Sequence, residues 1–368
     1  MRDTTTRIES LDAFRGLAVA GMILVSTPGS WSSVYPSLDH AIWNGWTLTD
    51  LVFPFFLFAM GAAVPLAHDR RKTALKQLSP HVFRRTLLLF GLGLVLNTIE
   101  TPGPLALATF RIPGVLQRIA VVYAMVALAT ETLSDRQQTA LVTTVLGVYW
   151  AAMMWVPVPG VGAGVLTPNG NLASYVDRQI FGRHMLTPAF DPEGLLSTFP
   201  AFATAMLGVF AGRSLQRSEG GGRTFRLWVG GAALTIAGLA WGRVFPINKT
   251  LWTSSFALFT AGLAAQTLAV FHWLFDVKGW RAPGRPLLAF GRNALAAYFL
   301  SVGLDSVLTR TALAGSTIKN IAYRAAFWSW LRPCCGDNAA SLGYAVAYVA
   351  IWAVVLAEMR RRQIFISI

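Results

Sequence analysis

Long apolar stretches alternate with short polar connections along most of the chain. Runs of about 18 residues or more recur, and each is long enough to cross a hydrocarbon core of roughly 30 Å. The pattern predicts an all-α polytopic membrane bundle of about 10 transmembrane helices. These lie near residues 11–27, 50–67, 83–99, 113–131, 138–156, 196–212, 226–242, 251–272, 286–304 and 341–358. A shorter apolar piece at 318–331 could be an interfacial helix, a re-entrant helix or an eleventh span.

Composition agrees with a membrane protein. Hydrophobic residues make up 54% of the 368 and charged residues 13%, whereas a soluble domain contains about 25% charged residues. No polar block is large enough to form a second domain, so we expect one transmembrane domain over residues 8–362 after a cytoplasmic tail at 1–7. A β-barrel would instead show short segments of alternating hydrophobicity.

The basic residues predict the orientation. A formal net charge of +14 could suggest a nucleic-acid partner, but Lys and Arg fall in short loops between apolar runs, as the positive-inside rule produces. They concentrate in the loop 68–85, and none occurs between Arg15 and Arg70. We therefore expect a lipid bilayer and no nucleic acid, both termini inside, and the 28–49 and 157–195 loops outside.

The segment 38–50 carries the most promising chemistry. His40 suits proton transfer near neutral pH, and either Asp39 or Asp50 could fix its tautomer. Asp50 also opens a predicted helix, where the helix dipole alone favours an acidic residue. Trp43 and Trp46 could form a wall for a sugar ring or belong to an interfacial aromatic belt.

Two further segments on the predicted outer side contain charged residues. Asp191, with Pro192 and Glu193 behind it, predicts a capped helix start, and the two carboxylates could also hold a cationic amine or sugar hydroxyls. Lys249 follows Asn248 and precedes a predicted span. It could extend to the lipid interface or bind an anionic group.

Several charged residues fall at or within the predicted spans. Arg118 lies inside one, where a charge normally faces a bundle interior or a wet cavity. Arg15 stands three residues after Asp12, which permits a local pair, and Arg292 and Asn293 occur in another span. Together these residues indicate an internal polar cavity. The sequence contains no zincin, nucleophile-elbow or Walker pattern, and we expect no metal.

Six ordered stretches resemble the heparan-alpha-glucosaminide N-acetyltransferase family, which includes a lysosomal enzyme and bacterial inner-membrane relatives. They are SLDAFRG at 10–16, HAIWNGWTLTDLVFPFFLF at 40–58, RIPGVLQRIAVVY at 111–123, DPEGLLST at 191–198, PINKTLWTSSF at 246–256 and GRNAL at 291–295. Family members usually have Asn where this chain has Ser26, so any amide contact from that position is in doubt.

The resemblance implies an acetyltransferase that uses cytosolic acetyl-CoA to acetylate an amino sugar on the far side of the membrane. For this chain it implies a bacterial inner membrane, His40 on the periplasmic side, and a homodimer. His40 would act as general base or as acetyl carrier, and a sugar permease is the alternative function. The expected catalytic residues are His40, Asp50 and Asp39. The residues expected to bind the sugar substrate are Trp43, Asn44, Trp46, Asp191, Glu193, Asn248 and Lys249. Those expected to bind acetyl-CoA are Arg15, Arg111, Arg118, Arg292 and Asn293.

Overall fold

The described part of the chain is almost entirely helical. The computed structural model describes residues 8–69, 78–100, 109–216, 222–280 and 284–366. Its α-helices are α1 Glu9–Ser26, α2 Thr49–Asp69, α3 Leu78–Glu100, α4 Val115–Thr132, α5 Asp135–Trp155, α6 Leu172–Phe181, α7 Thr198–Gln216, α8 Gly222–Trp241, α9 Ser254–Phe271, α10 Arg285–Arg292, α11 Ala294–Arg310, α12 Ile318–Tyr323 and α13 Ser329–Arg361. Two-residue strands β1 Ala312–Leu313 and β2 Ser316–Thr317 form an antiparallel hairpin before α12.

Side-chain caps fix several helix starts. Ser134 and Gln137 form a reciprocal capping box at the start of α5. The side chains of Asn171 and Thr253 accept backbone N–H groups at the starts of α6 and α9. The apolar runs then continue each helix until its polar connection begins.

Contacts between the connections define two faces of the bundle. On the first, which we call the histidine face, the 27–48 connection contacts 242–253 and 156–197. On the second, the opposite face, Arg15 Nε at the start of α1 donates to Gly291 O in α10. Long helices of the described ranges join the two faces.

The structure is that of a helical membrane protein, as predicted. Among the described residues, five helices are long and apolar enough to cross a membrane, or six if the bent pair α10–α11 counts as one span. The number of about 10 crossings stays a prediction.

Several element boundaries differ from the sequence prediction. The span predicted at 286–304 is two helices, α10 and α11, which meet at an angle of 87° beside Asn293. The region predicted as a loop at 157–195 contains the helix α6. The span predicted at 341–358 is the second part of α13, which contains a break at Gly336. The predicted tail 1–7 and residues 70–77 of the basic loop lie outside the described residues, and the rest of that loop belongs to the end of α2 and the start of α3.

The piece at 318–331 continues into the last long helix. It consists of α12, a π-helical stretch at Arg324–Trp328 and the start of α13. Within this part of the chain it is therefore the entry to α13, rather than a separate long helix.

Glycines allow α2 and α7 to approach backbone to backbone. A Cβ added at Gly208 would lie 2.1 Å from Phe58 O, and one added at Gly61 would lie 1.8 Å from Ala205 O. Small residues serve this purpose where lipid gives no hydrophobic drive for helix association. This contact fixes α2, which begins at the histidine face.

We predict that Gly208→Ala lowers the free energy of unfolding by about 1–3 kcal/mol, because the new methyl group meets a backbone carbonyl that cannot rotate away. The matched control is Gly230→Ala on α8, where a Cβ meets nothing within 4 Å. Thermal unfolding in detergent measures both variants. Equal midpoints for the two would contradict the packing argument.

Candidate active site

The imidazole of His40 lies against the carboxylate of Asp50. His40 Nδ1 is 2.7 Å from Asp50 Oδ1, and the His40 side chain is 52% exposed while that of Asp50 is 1% exposed. Asp50 stands in the first turn of α2, and His40 lies on the 27–48 connection. Because an ionised carboxylate only accepts, Nδ1 carries the proton and Nε2 keeps a lone pair.

Asp50 also holds the loop that carries His40. Its Oδ2 accepts the backbone N–H groups of Ala41, at 3.1 Å, and Thr47, at 3.0 Å. These bonds satisfy a buried carboxylate and fix the backbone on both sides of the loop tip. The helix-start and histidine-partner interpretations of Asp50 are therefore both correct.

Lys249 completes the contact group. Its Nζ lies 3.0 Å from His40 Nδ1, 3.2 Å from His40 Nε2 and 3.6 Å from Asp50 Oδ1. A nitrogen almost equidistant from both ring nitrogens cannot lie in line with either lone pair, so the ammonium acts on the ring mainly through its charge. Burial lowers the pKa of Lys249 below its ordinary value, and Asp50 opposes that shift. Of the two alternatives for Lys249, these contacts do not support extension to the lipid interface.

Asp39 does not contact the imidazole ring through its carboxylate. Its Oδ1 accepts the backbone N–H of His40 at 2.8 Å, and its carbonyl accepts the Thr47 hydroxyl. The expectation that Asp39 is a second catalytic carboxylate is therefore not supported by the geometry. Its side chain stabilises the loop.

The other predicted residues of this loop join it to its neighbours. Asn248 Nδ2 donates to Asn44 Oδ1 at 3.2 Å. Trp43 Nε1 donates to Leu166 O at 2.8 Å, and its ring packs edge-on against Phe190. Trp46 remains 42% exposed. Asn248 is buried, so Asn44, Trp43 and Trp46 are the members with surface left for a ligand.

A second charged cluster surrounds Arg111. Its guanidinium forms two hydrogen bonds with Asp191, from Nε at 2.9 Å and Nη2 at 2.7 Å, and Nη2 also reaches Glu193 Oε2 at 2.5 Å. Burial raises the pKa of Asp191, but the Arg111 bonds and charge outweigh it and hold that pKa below its ordinary value. Both carboxylates are therefore already compensated by a cation of the protein.

Asp191 is not the cap of α7. That helix begins at Thr198, and Asp191 instead accepts the backbone N–H groups of Leu186 and Glu193. The capped start predicted from the sequence is wrong, because the carboxylate is used by the loop and by Arg111. Gly194 packs closely against Asp177, since an added Cβ would lie 1.8 Å from Asp177 Oδ2 and would displace that carboxylate.

Arg118 connects α4 to the same loop. Its Nη2 donates to Gly194 O at 3.1 Å and to the Ser197 hydroxyl. Its guanidinium carbon lies 5.2 Å from the centre of the Trp252 ring. Arg118 thus faces the bundle interior, as predicted.

The proposed cofactor residues divide between the two faces. Arg111 and Arg118 belong to the histidine face, and the expectation that all five residues bind acetyl-CoA stays a prediction. Arg15 and Arg292 line a cavity of about 330 Å³ at the opposite face, together with His81, Arg85 and Tyr123. Asn293 receives the backbone N–H of Ile366 at 2.9 Å and holds the end of the described chain.

Trp252 and Asp177 were missed by sequence reasoning. Trp252 is buried with a φ of 47°, a left-handed conformation that is uncommon for a bulky residue. Its Nε1 donates to Thr204 Oγ1 at 3.1 Å. Asp177, on α6, accepts the backbone N–H of Leu195. Backbone strain of the kind seen at Trp252 clusters at functional sites, but residue type alone gave no signal for either residue.

The sequence model described as "Heparan-alpha-glucosaminide N-acetyltransferase, catalytic" matches residues 7–243. The chain belongs to the heparan-alpha-glucosaminide N-acetyltransferase family. The proteins of that name from Mus musculus and Homo sapiens are each 30% identical to it, over 355 and 350 residues. These alignments cover 81% and 79% of this chain and 53% and 52% of the relatives, so the chain spans about half the length of the curated relatives it matches.

The matched range contains most of the charged residues of the histidine face. His40, Asp50 and the Arg111 cluster lie inside residues 7–243, whereas Lys249 lies just beyond its end. The two curated matches extend over most of the chain. Membership in the heparan-alpha-glucosaminide N-acetyltransferase family therefore rests on more than the histidine motif.

We predict that Arg111→Gln lowers the free energy of unfolding by about 3–5 kcal/mol at neutral pH, because it leaves two buried carboxylates without their cation. The exposed Arg183 of the same loop supplies the control, and Arg183→Gln should change stability by less than about 0.5 kcal/mol. Thermal unfolding in detergent compares them. A melting midpoint for Arg111→Gln equal to that of Arg183→Gln would show that the cluster is not stabilising.

Proposed function

We propose that this chain is a transmembrane acetyltransferase that transfers the acetyl group of acetyl-CoA to an amino sugar. The contact that carries the proposal is the one between exposed His40 and buried Asp50, in a chain matched by the catalytic model of this family. A histidine oriented by a carboxylate is a general base suited to neutral pH. The acceptor would be of the glucosamine type or a related sugar.

The acid–base step follows from the tautomer. With Nδ1–H directed at Asp50, the Nε2 lone pair of His40 takes the proton of the attacking amine. The amine nitrogen forms a bond to the thioester carbonyl carbon, the carbon–sulfur bond breaks, and the coenzyme A thiolate leaves. Asp50 stabilises the imidazolium that forms. A covalent acetyl-histidine is the alternative route, and both use the same Nε2 atom.

Lys249 gives His40 a positive neighbour, in addition to any role as a substrate ligand. Its ammonium lies 3.0 Å from His40 Nδ1 and 3.6 Å from the buried Asp50 carboxylate. We propose that Lys249 compensates the charge of Asp50 and holds the ring in the position from which Nε2 meets the acceptor.

The donor would bind in the cavity of the opposite face. Arg15, Arg85 and Arg292 supply positive charge there for the phosphates of acetyl-CoA. Phe56 of α2 also lines this cavity, and it lies six residues, about 9 Å along the helix axis, from Asp50. Since acetyl-CoA is too large and too anionic to cross lipid, a path along α2 and α4 would bring its thioester towards His40.

We further propose the bacterial inner membrane as the location, with His40 on the periplasmic side and both termini in the cytoplasm. The support is the distribution of charge, because the sequence between Arg15 and Arg70 contains no Lys or Arg. That segment holds α1, the His40 loop and α2. The homodimer implied by the resemblance stays an expectation.

We predict that His40→Ala reduces acetyl transfer to glucosamine by about 10²–10⁴-fold, since it removes the proton acceptor. Purified protein with labelled acetyl-CoA and glucosamine gives the rate. The melting midpoint should change little, because Asp50 keeps Lys249 and two backbone N–H groups as partners. Ser37→Ala, an exposed change in the same loop, is the control. Wild-type rates in His40→Ala would remove His40 from the mechanism, and sugar uptake without label on the sugar would favour a permease.

We predict that Lys249→Met lowers the free energy of unfolding by about 1–3 kcal/mol and also slows acetyl transfer, because the buried Asp50 carboxylate loses its ammonium neighbour. Lys249→Arg keeps the charge and should stay closer to the wild type in both measurements. Thermal unfolding in detergent and the labelled acetyl-CoA assay compare the two variants. A raised KM with unchanged kcat and an unchanged melting midpoint would instead mean that Lys249 acts only as a substrate ligand.

A further inference from the structure

A second basic cleft lies at the opposite face, between α10 and the end of α13. Its volume is about 660 Å³, and Arg285, Arg292, Arg360 and Arg361 line it. Arg292 also lines the donor cavity, whereas the other three arginines line only this cleft among the described pockets. The two openings are therefore adjacent but separate.

The floor of this cleft is apolar. Ala289 of α10 and Ala353, Val354 and Ala357 of α13 form it. Val354 is 70% exposed. The same outer side of α13 continues to Ile351, which is 61% exposed. In a membrane protein the apolar side of α13 at Ile351 and Val354 is a surface for acyl chains, and it lies directly beside the arginines of the cleft.

Four arginines give the lining of the cleft its charge. No described residue that lines it is acidic. The nearby Glu358 is directed to Arg362 at 2.7 Å and to Arg361 at 3.8 Å. Arg285 and Arg360 therefore supply positive charge beyond what this one carboxylate balances. Guanidinium groups bind phosphate through paired N–H donors.

We propose that this cleft binds the headgroup of an anionic phospholipid, with the acyl chains along the exposed apolar side of α13. A basic pocket between transmembrane helices suits such a headgroup. A soluble phosphate would use the arginines but would leave the apolar floor uncovered, whereas a phospholipid uses both. The inference does not depend on the proposed acetyl transfer.

The test titrates phosphatidylglycerol into the delipidated full chain in detergent and counts bound lipid by native mass spectrometry. We expect the double variant Arg285→Gln/Arg360→Gln to weaken phosphatidylglycerol binding by about 25-fold, from the effect of two basic residues near an anionic lipid. Arg136→Gln is the matched control, because Arg136 is an exposed arginine at the start of α5, outside the cleft. It should bind as the wild type does.

Three results would overturn the proposal. Equal affinity of the wild type and the double variant would show that these arginines hold no lipid. Equal binding of phosphatidylcholine would show that the cleft does not select an anionic headgroup. Displacement of the lipid by millimolar inorganic phosphate would show a site for free phosphate. If the double variant does not fold, Ala357→Phe replaces it in the test. This change fills the apolar floor of the cleft and keeps every arginine, so we expect it to reduce phosphatidylglycerol binding. Unchanged binding in Ala357→Phe would equally reject the proposal.

Discussion

The carboxylate of Asp50 connects three parts of the histidine face. It lies against the His40 ring and Lys249, and it accepts two backbone N–H groups from the intervening loop. A buried carboxylate requires such partners, since an unpaired charge away from water is costly. The same bonds therefore stabilise the loop and give His40 the tautomer that a general base needs. Because Asp50 stands at the start of α2, its position depends on the close packing of α2 against α7.

The Arg111 cluster performs a similar task for the neighbouring loop. It compensates Asp191 and Glu193 and anchors the connection that leads to α7. Arg118, from the interior of α4, holds the same connection at Gly194. The helices α2 and α4, which line the cavity of about 330 Å³ at the opposite face, thus also carry Asp50 and Arg118 of the histidine face. This arrangement is consistent with the proposal that acid–base chemistry occurs at the histidine face and that acetyl-CoA binds at the opposite face.

The sequence was most informative where one short segment held both the reactive group and its partner. His40 and Asp50 lie ten residues apart, and the helix start at Asp50 predicted that both lie at the same end of a span. It was least informative where the partner is distant, because Arg111 and Asp191 are 80 positions apart and nothing in the sequence indicated their pairing. Residue type could not distinguish Asp50 from Asp39, whose side chain bonds the local backbone and not the ring. Trp252 adopts a conformation that tertiary packing imposes, and α6 was hidden by its short length among Pro and Gly residues.

Transfer of an acetyl group from one face of the bundle to the other is the central claim, and sealed proteoliposomes test it most directly. Labelled acetyl-CoA is supplied on one side only and glucosamine on the other, and N-acetylglucosamine is measured in each compartment. We expect labelled product in the glucosamine compartment, with no acetyl-CoA crossing and with His40→Ala inactive. Product formed only when both substrates share a compartment would contradict this account.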